Sequence, residues 1–387
     1  WQILIIPYVT NITQLVTYPS KVHKCDSGIH PNLMNLISFF RKLIRRNLGI
    51  TRLKPTDRYS DFFVLIGVQK QAMSIIMFNR EIGMKILLTG GTGFIGSELV
   101  KSWNTDDVTL LTRSPEKAKQ NLNHLNQNNL HYIQSLDELS DLNDFDVVVN
   151  LAGEPIADKR WSAEQKERIC NSRWHITEKL VELIHASSNP PKAFISGSAV
   201  GYYGDQQQHP FDESLQVEDE SFPHKVCAHW EEIAKRAQSE RTRVILLRTG
   251  IVLGENGGAL KKMLMPYKLG VGGPLGSGEQ YMPWIHMLDM VRAINHLLSM
   301  PHAQGEFNLC APHPVTNKLF SSTLAKQLRR PHFLFTPKWA MSLLMGESSC
   351  LLFDSIRSKP KKLTEMGFIF SYSRIEPALK NLLQHQD

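Results

Sequence analysis

From residue 84 onwards the chain alternates short apolar runs with longer segments of helical period. Lys85–Thr89 is the first run and ends in glycines; Val108–Thr112, Leu130–Gln134, Asp146–Ala152, Ala193–Ser198, Arg243–Thr249 and Glu306–Leu309 follow. Leu130–Gln134 is the weakest and Asp146–Ala152 among the strongest. Between several of them lie helical segments. Ser162–Ser187 is the longest, and His224–Gln238 sets Trp230, Ile233 and Ala234 at helical spacing. Strands apolar on both faces, separated by helices, predict a parallel sheet covered on both sides. Residues 1–83 show no such rhythm. Only Asn35–Leu48 stands out there, as a basic amphipathic helix suited to targeting or to a membrane surface. The plainer expectation is that 1–83 is upstream sequence read in frame, with Met84 the natural start.

The first strand runs into Thr89-Gly90-Gly91-Thr92-Gly93-Phe94-Ile95-Gly96. The spacing Gly90-x-x-Gly93-x-x-Gly96 has a physical reason. The first glycine makes the tight turn, the second lets peptide N–H groups approach a pyrophosphate, and the third lets the next helix pack closely. The phosphates then meet the positive end of that helix. Strand, glycine turn and helix in this order point to a dinucleotide site. The fold class expected is therefore α/β: a Rossmann-type doubly wound parallel sheet with a smaller C-terminal α/β substrate region. Residues 84–250 would form the dinucleotide domain, its sheet completed by about 285–312. Residues 251–284 and 313–387 would form the C-terminal domain.

The second strand ends Thr112-Arg113. An NAD site usually holds an Asp or Glu there, for the ribose 2′-hydroxyl. An Arg suits a 2′-phosphate, so NADP(H) is expected in preference to NAD(H). The alternative is a solvated surface Arg.

Charge and composition narrow the functions. The chain has 42% apolar and 21% charged residues, too apolar for a disordered polymer. Its net charge is +7, but residues 1–83 hold 11 basic and 4 acidic side chains, and the remainder is balanced at 33 of each. The body thus carries no net basic field for a nucleic acid. The best candidate for a span, Phe62–Val68, is far too short to cross a bilayer. Five scattered cysteines without metal or redox spacing suggest free thiols in a reducing, cytoplasmic setting, with no metal.

Three motifs together, TGGTGFIG (Thr89–Gly96), NLAGEPI (Asn150–Ile156) and SGSAVGYYG (Ser196–Gly204), resemble the extended short-chain dehydrogenase/reductase superfamily. More closely, residues 84–387 resemble its atypical NAD-dependent epimerase/dehydratase-like family, which has its own C-terminal domain. Ala157–Thr177, Leu246–Gly258, Leu269–Asp289 and Met345–Leu352 add to the match. The resemblance implies NADP contacts from the glycine turn (Gly90, Thr92, Gly93, Phe94, Ile95, Gly96), from Thr112 and Arg113, and from Leu151, Ala152 and Gly153. It adds Arg173, for which the competing reading is a surface ion pair with Glu167 or Glu178. For Leu151 to Gly153 the competing reading is packing at the sheet end. Homodimers are common in the superfamily.

The superfamily's chemistry rests on a Ser or Thr after the fifth strand and a Tyr-x-x-x-Lys pair in the next helix. Ser198 stands in the first position. The pair is missing: anchored on Trp230-Glu231, Pro223 falls at the Tyr position and Cys227 at the Lys position, with His224 and Lys225 off register. Tyr202 and Tyr203 are the substitute candidates, as proton donors or as an aromatic wall; His286 is a weaker one, more naturally a structural histidine. The glycine cluster Gly270–Gly278 reads as a loop. The function expected is an NADP(H)-dependent oxidoreductase or epimerase-like enzyme acting on a small polar, sugar- or nucleotide-linked substrate. The alternative is a non-catalytic NADP(H)-dependent sensor or regulator. The missing pair favours it, and plant relatives are associated with plastid division.

Overall fold

The computed structural model describes Gly83–Gln384, apart from residues 124, 126–128 and 256. The amphipathic stretch Asn35–Leu48 and nearly all of the 1–83 extension lie outside the described residues. In chain order the elements begin β1 (Lys85–Thr89), α1 (Phe94–Ser102), β2 (Asp107–Leu111), α2 (Pro115–Asn121), β3 (Leu130–Ile133), β4 (Val147–Asn150) and α3 (Ala163–Ala186). Next come β5 (Ala193–Ala199), β6 (Pro210–Phe211), α4 (Phe222–Lys235), β7 (Arg243–Thr249), β8 (Ile251–Gly254) and α5 (Gly258–Lys268). The chain continues with β9 (Tyr281–Met282), β10 (Trp284–His286), α6 (Met287–Ser299), β11 (Gly305–Leu309), β12 (Val315–Thr316) and α7 (Asn317–Gln327). It ends with α8 (Lys338–Met345), α9 (Cys350–Phe353), β13 (Arg357–Ser358), α10 (Lys361–Glu365) and α11 (Ile375–Leu383).

Seven strands form one sheet in the order β3-β2-β1-β4-β5-β7-β11, every pair parallel. The order reverses direction between β1 and β4, and the crevice at that switch point is where such sheets bind ligands. The alternation of side chains builds two cores from one set of strands. Ile86, Leu88, Val147, Val149 and Ile195 pack with α1 and α6 on one face. Leu87, Val148, Phe194, Val244 and Leu246 pack with α3 and α4 on the other. A third cluster joins α5, α7 and α11 around Trp284.

Helix ends follow the local chemistry. Ser162 caps α3 by accepting from Gln165 N–H. The helix after β5 starts at Phe222, two residues earlier than the pattern suggested, because Pro223 fits a first turn, where an N–H has no partner to lose.

Candidate dinucleotide and catalytic site

The glycine turn leaves β1 at the switch point. Gly90 has φ +72°, and a Cβ there would lie 2.7 Å from the Leu151 carbonyl carbon. A Cβ on Gly96 would lie 2.2 Å from the Gly90 oxygen, so only glycine lets α1 approach its own entry turn. Gly93 N–H donates to Gly90 O at 2.9 Å, and Gly93 O accepts from Ser97 N–H at 2.9 Å. Gly93 is also the N-cap, and it offers no side chain to the free amides of the first turn. Thr92 and Gly93 are exposed. The Phe94 ring anchors the turn; a Cβ on Gly254, Gly257 or Gly258 would strike it. A bare peptide cradle at a helix N-terminus fits a pyrophosphate.

Thr112 follows β2 and holds its place by donating its N–H to Ile133 O at 2.9 Å. Arg113 is exposed and forms no hydrogen bond or ion pair among the described residues. The next acid, Glu116, is taken by Lys119 at 3.1 Å. Among the described residues the guanidinium has no partner, which leaves it able to meet an anion.

Behind β4, Leu151 N–H donates to Thr89 O at 3.2 Å, and Ala152 N–H donates to Thr89 Oγ1 at 3.2 Å. Arg173 does not pair with Glu167 or Glu178. Its guanidinium donates to Ile169 O at 2.9 Å and Glu154 O at 3.0 Å, and lies so close to Gly153 that a Cβ there would be 2.9 Å from its Cζ. A buried polar chain that sequence reading missed supports these loops. Thr89 donates to Asn150 Oδ1 at 2.6 Å, Asn150 Nδ2 to Thr177 at 2.8 Å, and Trp230 Nε1 to Thr177 at 2.8 Å.

Ser198, at the end of β5, donates its hydroxyl proton to Glu231 Oε1 at 2.7 Å. Glu231 is 2% exposed and Arg248 0%. They form a two-pronged pair, Nε to Oε1 and Nη2 to Oε2, both at 2.8 Å. Burial alone would disfavour the cation, but Glu231 overrides it and raises the Arg248 pKa. Arg248 Nη1 also donates to the Tyr203 hydroxyl at 3.0 Å, and its Cζ lies 3.6 Å from the Tyr202 ring centroid. Tyr203 donates in turn to Asn308 Oδ1 at 2.8 Å.

These contacts separate the two tyrosines. Tyr203 has no exposed surface. Burial pushes its pKa up, against the pull of Arg248 and Asn308. Its hydroxyl belongs to the buried network and does not reach the cleft as a proton donor would. Tyr202 is half-buried, its hydroxyl 3.3 Å from Gln216 Oε1, and it is the phenol of the pair with access. Pro223 packs against Gly201 in the first turn of α4. Cys227 is buried, and burial together with Glu231 holds its thiol up at about 11, against the pull of Arg173. It is a neutral thiol at physiological pH and cannot act as the missing lysine. His286 is a satisfied structural histidine. Its ring stacks on Tyr372 at 3.9 Å, accepts from Leu288 N–H and meets Asn381, and burial lowers its pKa.

One titratable group near these loops went unnoticed in the sequence. Asp354 is raised to about 6 by burial and by Asp205 and Asp219, with Lys338 opposing. Its folded pKa exceeds its unfolded one, so its favourable contribution is full below about pH 4 and is lost as pH rises through about 6. Asp354→Asn is expected to stabilise the chain at pH 8 by up to about 1–2 kcal/mol after allowance for partial exposure. The gain should vanish below pH 4; urea melts at both pH values measure it, and an unchanged or lower midpoint at pH 8 would refute it.

The sheet order and the glycine cradle define a Rossmann-type dinucleotide-binding protein. Comparison with known proteins narrows the class. The model of the NAD dependent epimerase/dehydratase family matches residues 86–310, and a domain of unknown function, DUF1731, matches residues 336–382. An epimerase family protein from Staphylococcus haemolyticus is 39% identical over 302 residues, 77% of this chain and 99% of that protein. The crystal structure of the human epimerase family protein SDR39U1 with NADPH has a TM-score of 0.70 and 32% identity, covering 78% of this chain and all of that one. A nucleoside-diphosphate sugar epimerase from Corynebacterium glutamicum has a TM-score of 0.63 and 26% identity, covering 82% of this chain and 62% of that one. The chain belongs to the NAD dependent epimerase/dehydratase family. That membership gives it a nicotinamide-cofactor site and an epimerase-like, oxidoreductase-type role. No helix among the described residues is long and apolar enough to cross a membrane.

Proposed function

We propose that this chain binds NADP(H) and acts as an oxidoreductase or epimerase-like enzyme on a small polar, sugar- or nucleotide-linked substrate. The observation that carries the cofactor preference is Arg113, exposed beside Thr112 with no acid engaging it among the described residues. The structure of the human relative with NADPH supports it. In this reading the peptide amides of the Gly90–Gly96 turn hold the pyrophosphate, and Arg113 neutralises the 2′-phosphate. Leu151–Gly153 and Arg173 line the crevice at the end of β4. The bound nicotinamide supplies hydride chemistry. The chain's own share is to orient the substrate, with Ser198 fixed by Glu231 and Tyr202 as the accessible phenol.

NADPH is expected to bind more tightly than NADH. Arg113→Ala should weaken NADPH binding by about ten- to hundredfold, the worth of charge-assisted hydrogen bonds, and leave NADH unchanged. Calorimetric titration of both coenzymes measures this; equal affinities in the unmodified chain would refute the preference.

A second reading, an NADP(H)-dependent sensor or regulator linked to division, is favoured by one feature. Neither Pro223 nor Cys227 can pass a proton, and Ser198's only proton is committed to Glu231. Incubation with NADPH and a panel of carbonyl compounds and nucleotide sugars separates the two. Turnover lost in Ser198→Ala or Tyr202→Phe supports the enzyme. Tight NADPH binding without turnover supports the sensor.

A further inference from the structure

Most of the exposed large apolar side chains of the described residues gather in two stretches, represented by Leu269 and Val271 in one and by Phe333, Phe335, Trp339 and Leu343 in the other. Phe333 is 75% exposed and Leu343 73%. Backbone contacts hold the stretches side by side. Thr336 N–H donates to Pro274 O at 3.0 Å and Gly276 N–H to Thr336 O at 2.8 Å. A Cβ on Gly273 would meet the Leu334 oxygen. None of the eight residues of α8 is fully buried; Ala340, Met341 and Met345 are half-buried, while Trp339, Leu343 and Leu344 are exposed to water. Exposed apolar side chains gathered on two adjoining stretches mark a contact surface.

The charged side chains within the two stretches have one sign, with Asp158, Glu347, Asp354 and Glu376 the acids nearby. Lys261, Lys262 and Lys268 lie in the first stretch, Lys326, Arg329, Arg330 and Lys338 in the second, and all are exposed. Neither 261–273 nor 326–345 contains an Asp or Glu. Lys262 and Lys326 have acidic partners, Asp158 and Glu376; the other five form no ion pair among the described residues.

We propose that this face docks on the surface of an anionic lipid bilayer, its aromatic and leucine side chains entering the headgroup layer and its Lys and Arg residues meeting the lipid phosphates. Aromatic and leucine side chains beside clustered cations are the composition of an interfacial membrane contact. Two other occupants fit less well. A peptide helix is bound by a groove, whereas here the apolar side chains project from α8 and the strand-like arm before it. A second copy across a two-fold axis would set the same seven cations against each other.

The test is flotation of the full chain with vesicles of phosphatidylcholine plus phosphatidylglycerol, against phosphatidylcholine alone. Residues 1–83 carry their own basic excess, so the readout is the difference between the unmodified chain and variants of the patch. The chain should bind the anionic vesicles, less so as salt rises. Phe333→Ser with Trp339→Ser, and separately Lys268→Ala with Arg330→Ala, should each weaken binding by about tenfold or more, given roughly fivefold per interfacial cation. Thermal melts and NADPH titration of the variants should match the unmodified chain, since the substituted side chains are exposed. Equal vesicle binding by chain and variants would overturn the proposal. So would a self-associated chain, seen by sedimentation, that Trp339→Ser dissociates, or binding of an acidic amphipathic peptide in place of the vesicles.

Discussion

Replacing Arg248 by Met is expected to destabilise the chain by about 3–5 kcal/mol, the range for stranding a buried charge. Glu231 would keep only Ser198 as a partner and would remain almost sealed from water. Tyr203 would lose the donor to its hydroxyl. The loss comes from the unpaired carboxylate rather than from the pair's own net worth, and that distinction can be measured. A double variant, Glu231→Leu with Arg248→Met, removes both charges and should recover much of the loss, because a buried pair replaced by apolar groups of similar volume is often near neutral. Its deficit should be smaller than that of Arg248→Met alone. Urea unfolding of the three chains gives the comparison. A loss below about 1 kcal/mol in Arg248→Met would show that the network is not held as described.

That network also marks where sequence reading stopped. The seven strands were legible because a parallel sheet buried on both faces must be written in continuous apolar residues. Val147, Val148 and Val149 are all buried. The weakest of them, Leu130–Ile133, is the edge strand β3, where only Leu130 is buried and the pattern needs less apolar content. The glycine turn was legible because its constraint is local: Gly90 and Gly96 are fixed by contacts within the turn and with the next strand end.

Ser198 was found by its place after a strand, but its partner was not. The run Arg243–Thr249 predicts an apolar strand, and Arg248 within it is the sequence signal of a buried ion pair. A fully buried Arg near the end of a strand requires an acid. Which acid could not be deduced, because Glu231 reaches it only through the docking of α4 on the sheet. Adjacent tyrosines pose a similar problem. Tyr202 and Tyr203 share a single 3-10 turn, and a turn of that kind sends neighbouring side chains in different directions, one onto the surface and one into the core. Sequence spacing does not say which.

Gly93→Val is the sharpest test of the site, because it separates the ligand from the fold. The backbone at Gly93 has φ −79° and ψ 176°, extended geometry that a β-branched residue adopts readily. A Cβ there would meet only Gly90 O, at 3.1 Å, which requires the neighbour to yield by a few tenths of an ångström. The protein should therefore fold, losing at most about 1 kcal/mol from the poorer helix cap. On the open side, however, the new methyl groups would stand where a pyrophosphate must touch the first-turn amides. Steric overlap together with lost hydrogen bonds should weaken NADPH binding by about a hundredfold or more. Gly96→Ala behaves differently: its Cβ would meet Gly90 O at 2.2 Å, so fold and coenzyme binding should fail together. Calorimetry paired with thermal melts distinguishes the two. If Gly93→Val binds NADPH as tightly as the unmodified chain while folding normally, the pyrophosphate does not lie on this turn, and the assignment of Arg113 to the 2′-phosphate falls with it.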